Sequence, residues 1–419
     1  DWSQSFQQFT QGSGYSSFDY YSAGINILID KFLPKLDWLN QLKWRGSWSV
    51  VGNPIPNTLF ARQSYDFSNG TVNTRPPLFD DPKPETTTSF ETGVDVWMFD
   101  NKFNFDLTYY NSVLRNQFLN VTTANGESKP VNTGKIRNYG LEFSAAYRWN
   151  IGRDWRWQTG FNIAWNDNRI LETYKTESGT PYIVEMGTNA FKVKYIEGGR
   201  YGDIYVNSFV RDENGHIKIS GADDYETAVP QMESGEYKTY VGNTASPVTL
   251  GWNNTLSWKN LTLYFLIDGR VGGKVMSLTE PDLDLFGLSE RSAQERLNGE
   301  RVTQNGKEYI LKELPDGSGN KVSVENYYMT IGASPMEDYV YNATNFRVRD
   351  ISLSYNFNNL FGKNRGLTAQ FSVKNAFFIY KDSPVDPDIS VSAANGFSGI
   401  DCYSLPTTRS YALTLKFNF

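Results

Sequence analysis

The only histidine, His216, sits in a polar stretch with Asp212 and Glu213 beside it. A base of this kind activates a Ser, Cys or Thr nucleophile only when one is held within hydrogen-bond reach. No G-x-S-x-G elbow accompanies it. The single cysteine, Cys402, can form no internal disulfide and has no companions for a metal site. The segment 194–224, KYIEGGRYGDIYVNSFVRDENGHIKISGADD, offers acidic oxygens of the sort calcium takes, but DENG lacks EF-hand spacing. Gly198 and Gly199 read as tight-turn residues. PDGSGN at 315–320 has no helix pattern after it and reads as a turn, not a phosphate cradle. No catalytic residue, cofactor or metal is therefore expected, with calcium in this loop the one exception to keep in view.

A second chemical set is spread along the chain: Arg45, Glu91, Asp95, Asp106, Glu142, Arg148, Arg156 and Asp268. Each falls on the polar side of a segment that alternates strictly. Residues 103–110 set Phe103, Phe105, Leu107 and Tyr109 against Asn104, Asp106, Thr108 and Tyr110. Residues 141–149 set Leu141, Phe143, Ala145, Tyr147 and Trp149 against Glu142, Ser144, Ala146 and Arg148. Period 2 is the signature of a strand with two unlike faces. If the apolar face meets lipid, the charges line a lumen and could touch substrate, or they form an ion-pair lattice that keeps the wall wet.

Eleven such strands are expected near 17–32, 39–51, 86–99, 102–120, 135–150, 155–172, 247–258, 261–273, 344–357, 367–380 and 406–419. Many exceed a globular strand and suit the 9–11 residues that a tilted strand needs to cross a bilayer. No stretch is long and apolar enough for a spanning helix. Short connections at 33–38, 100–101, 151–154, 259–260 and 358–366 alternate with long ones at 52–85, 121–134, 173–246, 274–343 and 381–405. Outer-membrane barrels have this pattern, with short periplasmic turns and long external loops. The apolar series slips at Arg349–Asp350, which predicts a β-bulge.

Aromatics make up 15% of the chain, yet mean hydropathy is only −0.50, as expected when each strand is half polar. Those composition figures also fit a secreted β-sandwich, which has no reason to alternate its loops. A net charge of −6 argues against a nucleic-acid partner. Aromatics in the long loops are candidates for substrate or lid contact: Phe60, Tyr65, Phe67, Tyr182, Tyr201, Tyr205, Phe286, Tyr327, Tyr328 and Tyr339. Internal packing of the loops is the competing use for each.

Eleven strands cannot close a bacterial barrel, which has an even count and no free edge in lipid. The opening DWSQSFQQFTQGSG has no signal-peptide pattern, so upstream sequence is expected. The blocks DDPKPETTTSFETGVDVWMFDNKFNFDLTYYNS at 80–112, NTGKIRNYGLEFSAAYRWN at 132–150, TLGWNNTLSWKNLTLYFLIDGRVGG at 249–273, NFRVRDISLSYNF at 345–357 and YSLPTTRSYALTLKFNF at 403–419 carry a resemblance through their order and spacing. Together they resemble the C-terminal part of SusC/RagA-type TonB-dependent outer-membrane transporters.

The resemblance implies an all-β fold, with residues 1–419 as half of a 22-stranded antiparallel barrel lacking its N-terminal plug. It implies import of an oligosaccharide or peptide, energised by TonB, under a SusD-like surface lipoprotein. It also implies that Tyr411, Leu413, Leu415, Phe417 and Phe419 present the C-terminal signal to the barrel-assembly machinery. A passive porin, an outer-membrane barrel enzyme and a secreted binding module are the alternatives.

Overall fold

The computed structural model describes residues 2–4, 17–53, 65–66, 73–74, 83–122, 128–176, 178–334, 337–363, 365–388, 390 and 398–418. Eleven strands form one antiparallel sheet in which each pairs with its neighbours in sequence. They are β1 (Tyr21–Leu28), β2 (Leu39–Asn53), β3 (Glu85–Met98), β4 (Phe103–Thr122), β5 (Ser128–Ile151) and β6 (Trp155–Glu172). The rest are β7 (Val248–Trp258), β8 (Leu261–Val271), β9 (Asn345–Phe357), β10 (Gly366–Lys381) and β11 (Ser410–Asn418).

Register turns the alternation of single strands into two continuous surfaces. Leu42, Val96, Phe105, Ala145, Phe161, Trp252, Ile267 and Val348 lie opposite one another across eight strands. The adjoining face carries the row Arg45, Gly93, Thr108, Glu142, Ala164, Thr249 and Arg270. A one-residue slip anywhere would push a charge into the apolar row, so the pattern itself fixes the register. Trp155 stacks on Trp258 with ring centroids 5.8 Å apart at one end of the sheet. Tyr139 meets Trp165 edge-on toward the other. Aromatic belts at both interfaces suit a membrane wall.

The slip expected at Arg349–Asp350 is a bulge: pairing to both neighbours of β9 jumps from Val348 to Asp350. Two expectations need correction. Residues 121–134 are not a long loop, because β4 and β5 run on past the apolar rows and keep pairing as far as Thr122 and Ser128. The first strand is also shorter than 17–32. Residues 17–19 pair with 2–4 instead, and a single 3-10 turn follows at Ile29–Lys31.

The long connections 173–247 and 272–344 are folded. They contain small sheets and three helices, α1 (Thr279–Leu285), α2 (Glu290–Asn298) and α3 (Val324–Ala333). Ser289 and Ser323 cap α2 and α3, each accepting a backbone N–H at 3.1 Å. One core gathers Phe191, Val193, Ile204, Val206, Met276 and Ile400, and joins the wall through Ile136 and Ile170. Those two face each other in register on the polar side of the sheet. The folded loops therefore cap the polar face, on the loop side of the wall.

Candidate functional site

On the polar face, the predicted charges pair across strands. Lys43 Nζ lies 3.0 Å from Asp95, and Arg45 Nη2 donates to Asp106 at 2.9 Å and also to Thr108. Thr108 is buried and braces Asp106 at 2.9 Å. Glu91 and Glu142 open onto a polar recess of about 290 Å³, lined also by Ser89, Tyr110 and Ser112. Arg148 and Arg156 sit at the short-turn end, and Arg156 shares a recess with Arg153, Asp154 and Lys259.

Asp268 belongs to a denser cluster. Arg349 Nε donates to it at 2.7 Å, and Arg349 Nη2 reaches Asp388 at 2.9 Å. Arg347, only 1% exposed, bonds Asp388, sits 3.7 Å from Asp386 and donates to Thr407 at 3.3 Å. Its guanidinium also lies 4.8 Å from the Phe378 ring centroid. Arg270 adds a contact to Asp388 at 3.3 Å. The bulge is what makes room here. By inserting one residue it turns both Arg349 and Asp350 away from the apolar row. Beside the cluster lies a cavity of about 450 Å³, whose walls include Arg347, Phe378, Lys381, Asp386, Thr407 and Arg409. Residues 382–388 are thereby pinned to the wall.

None of Arg347, Arg349, Asp386 or Asp388 is among the lumen candidates named from the sequence, where Arg349 marks only the expected bulge. The phase slip in NFRVRD was the available signal, since it marks where two neighbouring residues must share a face.

In the cap, Asp284 is the anchor. Its buried carboxylate accepts from Arg291 Nε at 2.9 Å and from Tyr339 Oη at 2.7 Å, and Ser289 donates as well. Burial works against the charge of Arg291, but the Asp284 bond overrides it and raises the guanidinium pKa. Burial pushes the Tyr339 phenol up. Tyr327, Tyr328 and Tyr339 are 3%, 4% and 0% exposed, packed with Phe209, Ile217 and Ile331. The expectation that these three present contact surface is therefore corrected: they are the core of the cap. Their spacing said only that they lie in a loop, whereas helix α3 turns Tyr327 and Tyr328 inward and a 3-10 turn at Glu337–Tyr339 does the same for Tyr339.

Other loop aromatics differ. Tyr201 stacks on Tyr195 at 4.6 Å, half-buried. Tyr205 and Tyr240 form a tilted pair at 5.5 Å, with Tyr240 52% exposed. Tyr182 is half-buried against Tyr174. Phe286, with Leu288 and Leu297, projects from α1–α2 into solvent, each 72% exposed. Phe60 and Phe67 lie outside the described residues, as does Phe419, and the Tyr65 backbone pairs in a two-residue strand. Tyr411, Leu413, Leu415 and Phe417 form an exposed apolar row on β11.

His216 lies half-buried at a hairpin tip, where Asp212 accepts its backbone N–H at 3.0 Å. That bond above all holds the Asp212 carboxyl below its ordinary range. The nearby acids serve turns: Asp203 accepts from Arg200 N at 2.9 Å and Asp224 from Glu226 N at 3.0 Å. Among the described residues no three His, Cys, Asp or Glu side chains gather as a metal set. PDGSGN is a turn between two strands. There Asp316 accepts from Ile217 N at 2.6 Å and Ser318 N at 3.0 Å.

A wide antiparallel sheet with one greasy and one charged face, capped by folded loops, is the wall of a transmembrane β-barrel. Residues 1–376 match the family model for the TonB dependent receptor-like beta-barrel. The chain belongs to this family of outer-membrane receptors. It is similar to TonB-dependent receptor P3 of Formosa agariphila, 24% identical over 98% of this chain and 42% of that protein. It is also similar to TonB-dependent receptor SusC of Bacteroides thetaiotaomicron, 23% identical over 98% of this chain and 41% of that protein. Among solved structures, the RagAB peptide transporter aligns with a TM-score of 0.71 at 18% identity, over 97% of this chain and 44% of that one. The chain thus spans less than half the length of the curated relatives it matches.

Proposed function

We propose that this chain is the C-terminal half of the barrel of an active importer, which brings an oligosaccharide or peptide across the outer membrane. In this reading the barrel has 22 strands, the missing strands close the edges of β1 and β11, and an N-terminal plug gates the lumen. TonB drives the plug, and the substrate passes chemically unchanged.

The observation that carries the reading is the position of the folded cap. The loop core built on Phe191, Val193, Ile204 and Val206 joins the wall on its polar face, through Ile136 and Ile170, which suits recognition at the mouth of a conduit. Loops on rigid scaffolds are the usual carriers of binding. Tyr240, exposed beside the half-buried Tyr205, offers a flat face to a sugar ring or a peptide side chain. Phe286, Leu288 and Leu297 expose apolar side chains around α2 that a SusD-like lipoprotein lid could cover.

Deleting the gene and measuring uptake of labelled oligosaccharides and peptides, with and without an active TonB system, tests the proposal. Energy-dependent uptake lost on deletion is expected. Uptake that persists without TonB would favour a passive pore. Co-purification of a neighbouring lipoprotein, weakened by Leu288→Asp with Leu297→Asp, tests the lid.

A further inference from the structure

The apolar face does not end in neutral residues. Beyond the last greasy row, Leu107, Phe143 and Ile163, comes the row Tyr109, Leu141 and Trp165. The next row is Asn111, Tyr139 and Asp167, then Val113, Arg137 and Arg169, then Arg115, Lys135 and Glu172. As far as Arg169 these residues share the parity of the lipid-facing side, and past the register shift after Ile170 Glu172 meets Lys135 on that side. Arg200 joins them from the loop segment 198–199 that pairs with Ile170, lying 2.9 Å from Asp167. Five cations, Arg115, Lys135, Arg137, Arg169 and Arg200, thus stand with two acids, Asp167 and Glu172, on the outward surface of β4, β5 and β6.

The two acids do not neutralise the band. Asp167 is buried and already accepts Tyr139 Oη at 2.9 Å besides Arg200. Glu172 is taken by Lys135 at 2.8 Å. Glu197 turns to the Thr173 backbone at 2.9 Å. Arg137 lies over the Tyr139 ring at 4.8 Å and donates to Asn111, and Arg115 donates to Thr88 at 3.1 Å. Among the described residues no carboxylate lies within ion-pair distance of either guanidinium, and Arg115 acts on Glu172 only at longer range. The chemistry is that of a basic rim at the membrane surface, set just past an aromatic girdle and continuous with an acyl-chain surface below.

We infer that the outward face of β4–β6 binds the phosphorylated glycolipid of the outer leaflet, with its phosphates on Arg115, Lys135 and Arg137 and its acyl chains along Leu107, Leu141, Phe143 and Ile163. The site faces the membrane and is separate from the conduit, so it does not depend on what is imported. Arginine suits it because its planar fork pairs two phosphate oxygens at once.

The test uses the whole protein in nanodiscs and two probes, diphosphoryl lipid A and the same lipid with its phosphates removed. Native mass spectrometry counts bound lipid. The triple variant Arg115→Gln, Lys135→Gln, Arg137→Gln is compared with Lys102→Gln, Lys259→Gln at the opposite end of the barrel, both checked for heat-modifiable folding. Surface cations contribute additively to anionic lipid binding, so affinity of the triple variant should fall roughly 100-fold. The control should retain wild-type affinity, and the dephosphorylated lipid should bind the wild type as weakly as the diphosphoryl lipid binds the triple variant. Equal binding of both lipids, or undiminished binding by the folded triple variant, would overturn the assignment. So would displacement of the lipid by millimolar inorganic phosphate, which would make the band a soluble-anion site.

Discussion

Replacing Phe161 with arginine asks which side of the sheet meets lipid. Phe161 lies six residues beyond Trp155, whose stacked indole marks the short-turn girdle. At ~3.3 Å per residue and a tilt of about 40°, it stands roughly 15 Å above that girdle, near the middle of a hydrocarbon layer ~30 Å thick. It belongs to the apolar row that runs from Leu42 to Val348. An arginine facing lipid at that depth costs about 2–4 kcal/mol, or roughly a 30- to 1,000-fold shift in the folding equilibrium. The neighbouring Asn162 is equally exposed but points to the polar face, so Asn162→Arg should change stability by no more than about 0.5 kcal/mol. Phe161→Ala separates lost packing from the penalty for charge. The assay is urea-dependent folding of the whole polypeptide into lipid vesicles, read by heat-modifiable mobility and tryptophan fluorescence. Equal penalties for Phe161→Arg and Asn162→Arg, or a larger one for Asn162→Arg, would refute the inside–outside assignment.

Other outcomes follow from single contacts. Arg347→Met should cost about 3–5 kcal/mol by leaving the buried Asp386 without its arginine, while Asp388 keeps Arg349 and Arg270; limited proteolysis within 381–388 should speed up, and adding Asp386→Asn should slow it again. Tyr339→Phe removes a buried donor to Asp284 and should cost about 1–3 kcal/mol, seen as faster amide exchange in α1 and α3 with the wall unchanged. Gly140→Ala should destabilise the wall by about 1–3 kcal/mol, because its methyl would sit 2.3 Å from the Trp165 carbonyl oxygen; thermal unfolding measures it. Burial raises the Asp316 carboxyl, but bonds from Ser318 and from the Ile217 N–H override it and bring the pKa down to about 2. A lowered folded-state value stabilises above the ordinary carboxylate range and is lost as pH falls toward 2. Amide protection at Ile217 and Ser318 should therefore collapse between about pH 4 and 2 in the native chain, and be weak at every pH in Asp316→Asn.

What could be read from the residues alone was whatever a strand writes locally. Successive side chains point to opposite faces, so the split of Leu107 from Asp106, or of Phe143 from Glu142, shows in a handful of residues. Lipid on one side makes that split strict. Even the bulge at Arg349 was legible, since a phase slip is a local event. The length of β4 and β5 beyond the bilayer was not. There the alternation of apolar and polar residues ends, while the backbone ladder runs on through Asn120 and Lys129. The inside of the cap was equally hidden. Tyr327, Tyr328 and Tyr339 look like any loop aromatics until α3 and the 3-10 turn after it bring them into one core with Phe209 and Ile217, more than a hundred residues away. Arg347 finds Asp388 across 41 residues and Arg115 lines up with Lys135 only through strand register. No periodicity encodes such meetings, because they depend on how the chain closes over distance. Local pleating set the wall; long-range packing chose which polar and aromatic side chains became core, rim or site.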